Sequence, residues 1–505
     1  MSNPACPATL LDLLNTAPGA NIALVAPDTG ARISYDSLRR QVLAAARAFA
    51  HSGIEPADRI AIALPNGPAV IVSFLAASIA GTAAPLNPAY RYDEFSFYLD
   101  DTSARLLIAP AEGAEEARRA AAERGIPILT AETNASGEVS FSESPAGGAV
   151  RTPAPEDVAL ILHTSGSTGR PKRVPLKHIN LALSARNIVN TYQLSPNDVS
   201  LCLMPLFHVH GLVASTLSTL LSGGTVVVPA RFNPLSFWRT VREEHVTWYS
   251  AVPTIHQLIL ARAASGGKPV GAESLRFIRS CSAPLPVETA EKLEALAGVP
   301  VLEAYGMTEA SHQMASNPLP PKARKFGTVG VATGIQIATM TDAGELLPRG
   351  GKGEVVLQGP SVIQAYENNP EANAKSFVHG WFRTGDEGVL DDEGYLRLTG
   401  RIKELINRGG EKIAPREIDE VLLTHPAVSE AVCFGIPHPT WGEEVAAAVV
   451  LREPSTEAEL IAYCRARLAE FKCPKKLFLV KSIPRTATGK VQRLNVAAEL
   501  TGARG

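Results

Sequence analysis

The sequence carries no excess of charge of one sign. Its 48 Lys and Arg stand against 50 Asp and Glu, a formal net charge of -2. Nucleic-acid binding usually shows as a basic excess, so no nucleic-acid partner is expected. Cysteine is scarce. Cys6, Cys202, Cys281, Cys433, Cys464 and Cys473 form no CxxC pair and no metal-ligand spacing. That excludes a cysteine-held metal site and leaves reduced thiols of a cytoplasmic protein as the expectation. No uninterrupted apolar run is long enough to span a bilayer. The most apolar stretch, residues 69–86, is broken by Ser73, Ser78, Gly81, Thr82 and Pro85. It reads as a buried helix running into a loop, and no membrane partner is expected. The opening MSNPACPATLLDLLNT has no basic segment before an apolar one, so no secretory signal is expected, and the closing TGARG is no peroxisomal tripeptide. Internal repeats and low-complexity tracts are missing as well.

What remains is a chain of 505 residues, 45% hydrophobic, with material for more than one domain. RIAIALP from Arg59 reads as a strand, residues 69–80 as a helix, and ARLLIAP from Ala104 as a strand. This alternation predicts an α/β fold. Residues 131–156, rich in Gly, Ser, Glu and Pro, read as an exposed connection. The short strand pattern resumes in VALILHT, VSLCLMP, GTVVVPA and VTWYSAVP. Near Gly385 the texture changes. DDEG at Asp391 and NRGGEK at Asn407 predict hairpins, and EIDEVLLTHP predicts a helix. The predicted division is a large unit over 1–401 and a small α/β unit over 402–505.

The strongest local signal is HTSGSTGRPKR, residues 163–173, which follows directly on the strand VALIL. Gly166 and Gly169 allow tight backbone curvature among Thr164, Ser165, Ser167 and Thr168, and amides and hydroxyls so arranged ring a phosphate. Lys172 adds a charge-assisted contact. The nucleotidase spacing GxxxxGK(S/T) and the hydrolase elbow GxSxG are both absent. By itself the segment also fits a Ser/Gly-rich surface turn.

Four further segments follow it in order: EAYGMTE from Glu303, WFRTGD ending at Asp386, GRIKELINRGGEKIAPREIDE from Gly400, and PRTATGKVQR from Pro484. Together the five resemble the signatures of the adenylate-forming superfamily, which includes acyl-CoA synthetases, luciferases and peptide-synthetase adenylation domains. The resemblance covers essentially the whole chain. It implies ATP, Mg2+ and coenzyme A as cofactors and a carboxylic acid as substrate. It places Tyr305, with Glu303 and Ala304 before it, against the adenine, and Ser282, Ala283 and Pro284 beside the nucleotide. Thr308 would touch phosphate and Glu309 hold Mg2+, which suits a hard cation that takes few protein carboxylates. Asp386 would meet the ribose, and Arg401 the ribose or phosphate. Lys490 would bridge the acid carboxylate and the α-phosphate, offsetting repulsion between two anions. The family's small domain turns between two half-reactions about a hinge at Lys403. It then brings Gly409, Gly410 and Glu411 to the thiol channel, where a bulky residue at Gly409 should obstruct the pantetheine arm.

Choice of acid rests on scattered positions. The same resemblance puts PLFHVHG from Pro205, RSCSAPL from Arg279 and the residues after the tyrosine motif around the acyl group. His208 is common in the family whatever the acid. His210 and His312 are the unusual residues, and with His208 and Ser282 they suggest a small, polar acid. LFHVHGL, WYSAVPTIHQ, LRFIRSCSAPL, VLEAYGMTEASH and SNPLP resemble the oxalate–CoA ligase group, which implies oxalate, its distal carboxylate held by His210, His312 and Ser282. A malonate ligase is the alternative within the class, and an enzyme passing its adenylate to another acceptor the alternative outside it. Gly306 stands where that group has an alanine, a departure expected to affect the nucleotide side and not the acid.

Overall fold

The computed structural model describes residues 7–142, 150–164, 171–263, 269–485 and 491–502. The chain folds as mixed α/β, with four sheets. A seven-stranded sheet runs in the order Val139–Phe141, Ile128–Thr133, Ala104–Pro110, Arg59–Ile62, Thr82–Pro85, Val158–Thr164, Lys172–Lys177. A nine-stranded sheet holds the parallel neighbours Thr225–Val227, Val199–Cys202, Trp248–Ala251, Phe277–Ser280 and Val301–Met307, then His312–Ser316 antiparallel. Ile60, Ile62, Ile108, Trp248, Tyr249, Phe277 and Ile278 of these strands are buried, as strands covered on both faces require.

Helix Pro68–Ala80 touches strands of both large sheets, which is why it is apolar all round. It starts on a proline, whose missing N–H costs nothing there. The predicted loop after it is instead the buried strand Thr82–Pro85, paired with Arg59–Ile62 and Val158–Thr164. Small residues let it pass through a crowded sheet centre. The predicted connection over 131–156 likewise begins inside a strand, Ile128–Thr133, and makes a hairpin with Val139–Phe141. Edge position explains why its polar composition reads as loop.

A third sheet contains Trp381–Leu390, buried at every second residue, paired with Lys352–Gln358 and Leu396–Arg401. After Arg401 the side chains build separate cores. Ile406, Ile413, Ile418, Leu422, Val445, Val449 and Leu460 pack together, with Val432, Phe434 and Val496 on the other sheet face. The hairpin Ile406–Arg408 and Glu411–Ile413 and the helix Pro415–Leu423 stand where the sequence places them.

Candidate active site

Strand Val158–Thr164 pairs antiparallel with Lys172–Lys177, and Thr164 lies opposite Lys172. Ser165, Gly166, Ser167, Thr168 and Gly169 lie outside the described residues. At the stem of this connection, Thr164 Oγ1 donates to Glu309 Oε1 at 3.4 Å, and the Tyr366 hydroxyl donates to the same oxygen at 2.8 Å. Burial pushes the Tyr366 hydroxyl up, with the Glu309 charge acting the same way, so it stays a donor. Lys172 Nζ stands over the Tyr366 ring at 4.4 Å. Burial draws the Lys172 ammonium down, while the Glu309 carboxylate opposes that shift. Thr308 opens the short turn Thr308–Ala310 and is half-buried. One buried carboxylate flanked by hydroxyls and a lysine fits a divalent cation carried by phosphates. No cluster of three metal-ligating side chains occurs among the described residues, so a protein-built metal cage does not fit.

Tyr305, on strand Val301–Met307, donates its hydroxyl to Asp386 Oδ2, and Asp386 Oδ1 pairs with Arg401 Nε at 2.7 Å. These three residues, from three motifs, thus form one chain of contacts where Leu396–Arg401 pairs with Trp381–Leu390. Burial, then the Asp386 charge, hold the Tyr305 hydroxyl well above its ordinary range. Glu303 turns its carboxylate to the backbone N–H of Leu285 at 3.1 Å, and burial pushes its pKa up to about 7. Ala304 is buried beside it. Ser282 and Ala283 are half-buried and Pro284 is exposed.

A second polar cluster sits behind these groups. Arg279, in the strand Phe277–Ser280, is 0% exposed. Parallel pairing sets it beside Ser250, whose Oγ takes its Nη1 at 2.8 Å. Its Nε donates to the Tyr192 hydroxyl at 2.9 Å, and its Nη2 reaches Gln313 Oε1 and His312 Nε2, each at 3.1 Å. His210 contacts Ser282 Oγ through Nδ1 at 3.0 Å and Ser250 Oγ through Nε2 at 2.6 Å. The His210 and His312 rings stack with centroids 5.1 Å apart. The structure therefore brings His210, His312 and Ser282 together. His208 lies just before the helix His210–Leu217 and packs against Phe207.

Backbone strain concentrates in this cluster. Ser282, Ser311 and His312 have φ of 74, 55 and 107°, a region non-glycine residues rarely enter. Gly306 lies against His312: a Cβ there would stand 2.5 Å from the His312 carbonyl oxygen and 2.9 Å from its Nδ1.

Sequence reasoning missed Arg279 and Tyr366 as individual site residues. For Arg279 a signal existed: a charged residue inside an otherwise strand-like run, LRFIRSCS. Tyr366 carried none. In the small unit, Lys403 is exposed in the turn Ile402–Glu404, and Gly409, Gly410 and Glu411 form the exposed tip of a hairpin. Lys490 lies outside the described residues.

The chain belongs to the AMP-binding enzyme family: that family's model matches residues 14–367, and the AMP-binding enzyme C-terminal domain matches residues 417–490. It is similar to the oxalate–CoA ligase of Arabidopsis thaliana, with 48% identity over 93% of each chain. It is also similar to the oxalate–CoA ligase of Saccharomyces cerevisiae, with 42% identity over 94% of each. Its fold matches the ATP-bound MatB from Rhodopseudomonas palustris with a TM-score of 0.90, at 31% identity over 97% of this chain and 98% of that one.

Proposed function

We propose that this protein is an oxalate–CoA ligase. It condenses oxalate with ATP to oxalyl-AMP and pyrophosphate, then transfers the oxalyl group to coenzyme A, releasing AMP. The observation that carries the reading is the cluster of buried Arg279, His210 and His312 with half-buried Ser282. A long or aromatic acid needs an apolar slot. A cluster of polar donors instead suits an acid that keeps one carboxylate ionised while the other reacts.

In the first step, one oxalate carboxylate oxygen attacks the α-phosphorus and pyrophosphate leaves. Tyr305, Asp386 and Arg401 hold the nucleoside. Asp386 exchanges part of its bonding to Arg401 and Tyr305 for the ribose hydroxyls. Thr308 and Lys172 face the phosphates. Glu309, oriented by Tyr366 and Thr164, would hold Mg2+, which when bound offsets charge on the leaving pyrophosphate. Lys490 would place its ammonium between carboxylate and phosphate. In the second step the small unit, turning about Lys403, would present residues 409–411 to the thiol. The division at 401/402 is part of this proposal, and the separate cores on either side support it. A cytoplasmic setting belongs to it as well. Among the described residues no helix is long and apolar enough to cross a membrane.

The test is an AMP-release screen with oxalate, malonate, acetate, glyoxylate, coumarate and octanoate. Oxalate should give the highest kcat/KM, and ATP–pyrophosphate exchange should occur with oxalate in the absence of coenzyme A. A higher kcat/KM for malonate or octanoate would refute the choice of acid. Thioester formation without such exchange would refute the order of steps.

A further inference from the structure

Arg279 presents an unusual balance of charge. Its guanidinium is fully buried, and the groups it meets are the hydroxyls of Tyr192 and Ser250, the Gln313 carbonyl oxygen and the His312 ring. Among the described residues, no carboxylate pairs with it. Burying a cation without an anion is costly, so a site that does so is suited to receive an anion.

The direction of the hydrogen bonds follows from chemistry. A guanidinium only donates. His312 Nε2, at 3.1 Å from Arg279 Nη2, therefore presents a lone pair, and the ring's proton sits on Nδ1. Ser250 Oγ accepts from Arg279 Nη1, which leaves its own proton available to His210 Nε2 at 2.6 Å. Arg279 Nη1 also approaches that nitrogen, at 3.5 Å. Two donors converge there, so His210 carries its proton on Nδ1 and donates to Ser282 Oγ at 3.0 Å. Ser282 has then received one hydrogen bond, and its own proton is left to point away from His210.

We infer that Arg279 is a positioning residue for the acid. Without touching it, Arg279 fixes His210 and His312 as neutral Nδ1–H tautomers, directs the Ser282 proton outward, and supplies the uncompensated positive charge that draws a dianion into the pocket. The inference about the acid rests on the oxalate reading above. The tautomer assignment stands apart from it.

Two measurements test this. The first uses wild-type protein labelled with 15N at histidine, in long-range 1H–15N correlation near neutral pH, with His210→Gln and His312→Gln to assign the signals. Both rings should appear as Nδ1–H tautomers. An Nε2–H tautomer or an imidazolium at either position overturns the inference without recourse to any arginine variant. The second is steady-state kinetics of Arg279→Met and Arg279→Lys. Arg279→Met should lower kcat/KM for oxalate on the order of 100-fold or more, mainly through KM, with KM for ATP unchanged. Arg279→Lys, keeping the charge but losing the fork, should recover part of that loss. Equal effects on oxalate and ATP, or no recovery with lysine, would mark Arg279 as structural only and overturn the inference. If these variants do not fold, the wild-type spectrum decides. If the wild-type enzyme prefers another acid, the oxalate reading fails while the tautomers are still settled by the spectrum.

Discussion

His178 shows how one buried side chain ties stability to pH. Its Nδ1 accepts the Leu10 backbone N–H at 3.2 Å, and its Nε2–H donates to the Ser78 carbonyl oxygen at 2.9 Å. Accepting at Nδ1 requires the neutral ring. Burial pulls its pKa from 6.5 down to about 4. The folded value lies below the unfolded one, so this contribution is present above pH 6.5 and is lost as pH falls toward 4, by about 3 kcal/mol in all. Urea unfolding across that range should show the loss, and His178→Gln should flatten it; an unchanged slope would contradict the assignment. Tyr366→Phe removes a donor to the Glu309 carboxylate, a bond worth about 1.5–3 kcal/mol to a charged acceptor. ATP–pyrophosphate exchange should then need more Mg2+, with KM for oxalate little changed. Glu309 was legible from its motif; the tyrosine that orients it was not, because their contact exists only once the chain has folded.

The helix His210–Leu217 is a π-helix, wound wider than an α-helix, as local insertions at functional sites often are. It starts at His210, and its second residue sits tight against backbone. A Cβ on Gly211 would lie 2.4 Å from the Pro205 carbonyl oxygen and 2.8 Å from that of Met204. Neither can yield as a side chain would. Gly211→Ala should therefore cost about 1–3 kcal/mol by overpacking and move His210 away from Ser282. Calorimetry should show a lower Tm, and kinetics a raised KM for oxalate. A variant with wild-type Tm and KM would mean that the helix start has room. The sequence PLFHVHG pointed to this segment as pocket-forming, but a local pattern of apolar and small residues does not distinguish a π from an α turn.

For the whole molecule, the question is how the two units share one site. Across the proposed division at 401/402, Arg416 donates to the Leu398 carbonyl oxygen at 3.0 Å. The proposed turn about Lys403 would have to break and remake this polar contact between the steps. Lys490→Ala should slow adenylation on the order of 100-fold or more while sparing thioester formation from supplied acyl-adenylate. Quench measurements of each half-reaction separate the two effects; equal slowing of both would refute the division of labour. Leucine at position 409 is a poorer probe of the thiol channel than the sequence suggests. Gly409 has φ of 59°, and a Cβ there would stand 2.8 Å from Trp441 Cε3, so its substitution disturbs the hairpin itself.

The sequence by itself determined the α/β class, the family and the position of most strands near the site. These are properties of contiguous segments, in which spacing along the chain is also spacing in space. Thr164 and Lys172 flank one short connection, and Tyr305, Thr308 and Glu309 lie on one strand and the turn that follows it. The tertiary structure decided the polar cluster around Arg279. Tyr192, Ser250, Arg279 and His312 come from four elements, and only the order of strands in the nine-stranded sheet, with a helix laid against it, makes them neighbours. Which atom of each histidine faces Arg279 depends on strained backbone at His312 and on the start of a π-helix at His210. Hydrogen-bond direction is a relation between atoms brought within about 3 Å of each other, and no pattern of residue types along a chain encodes it.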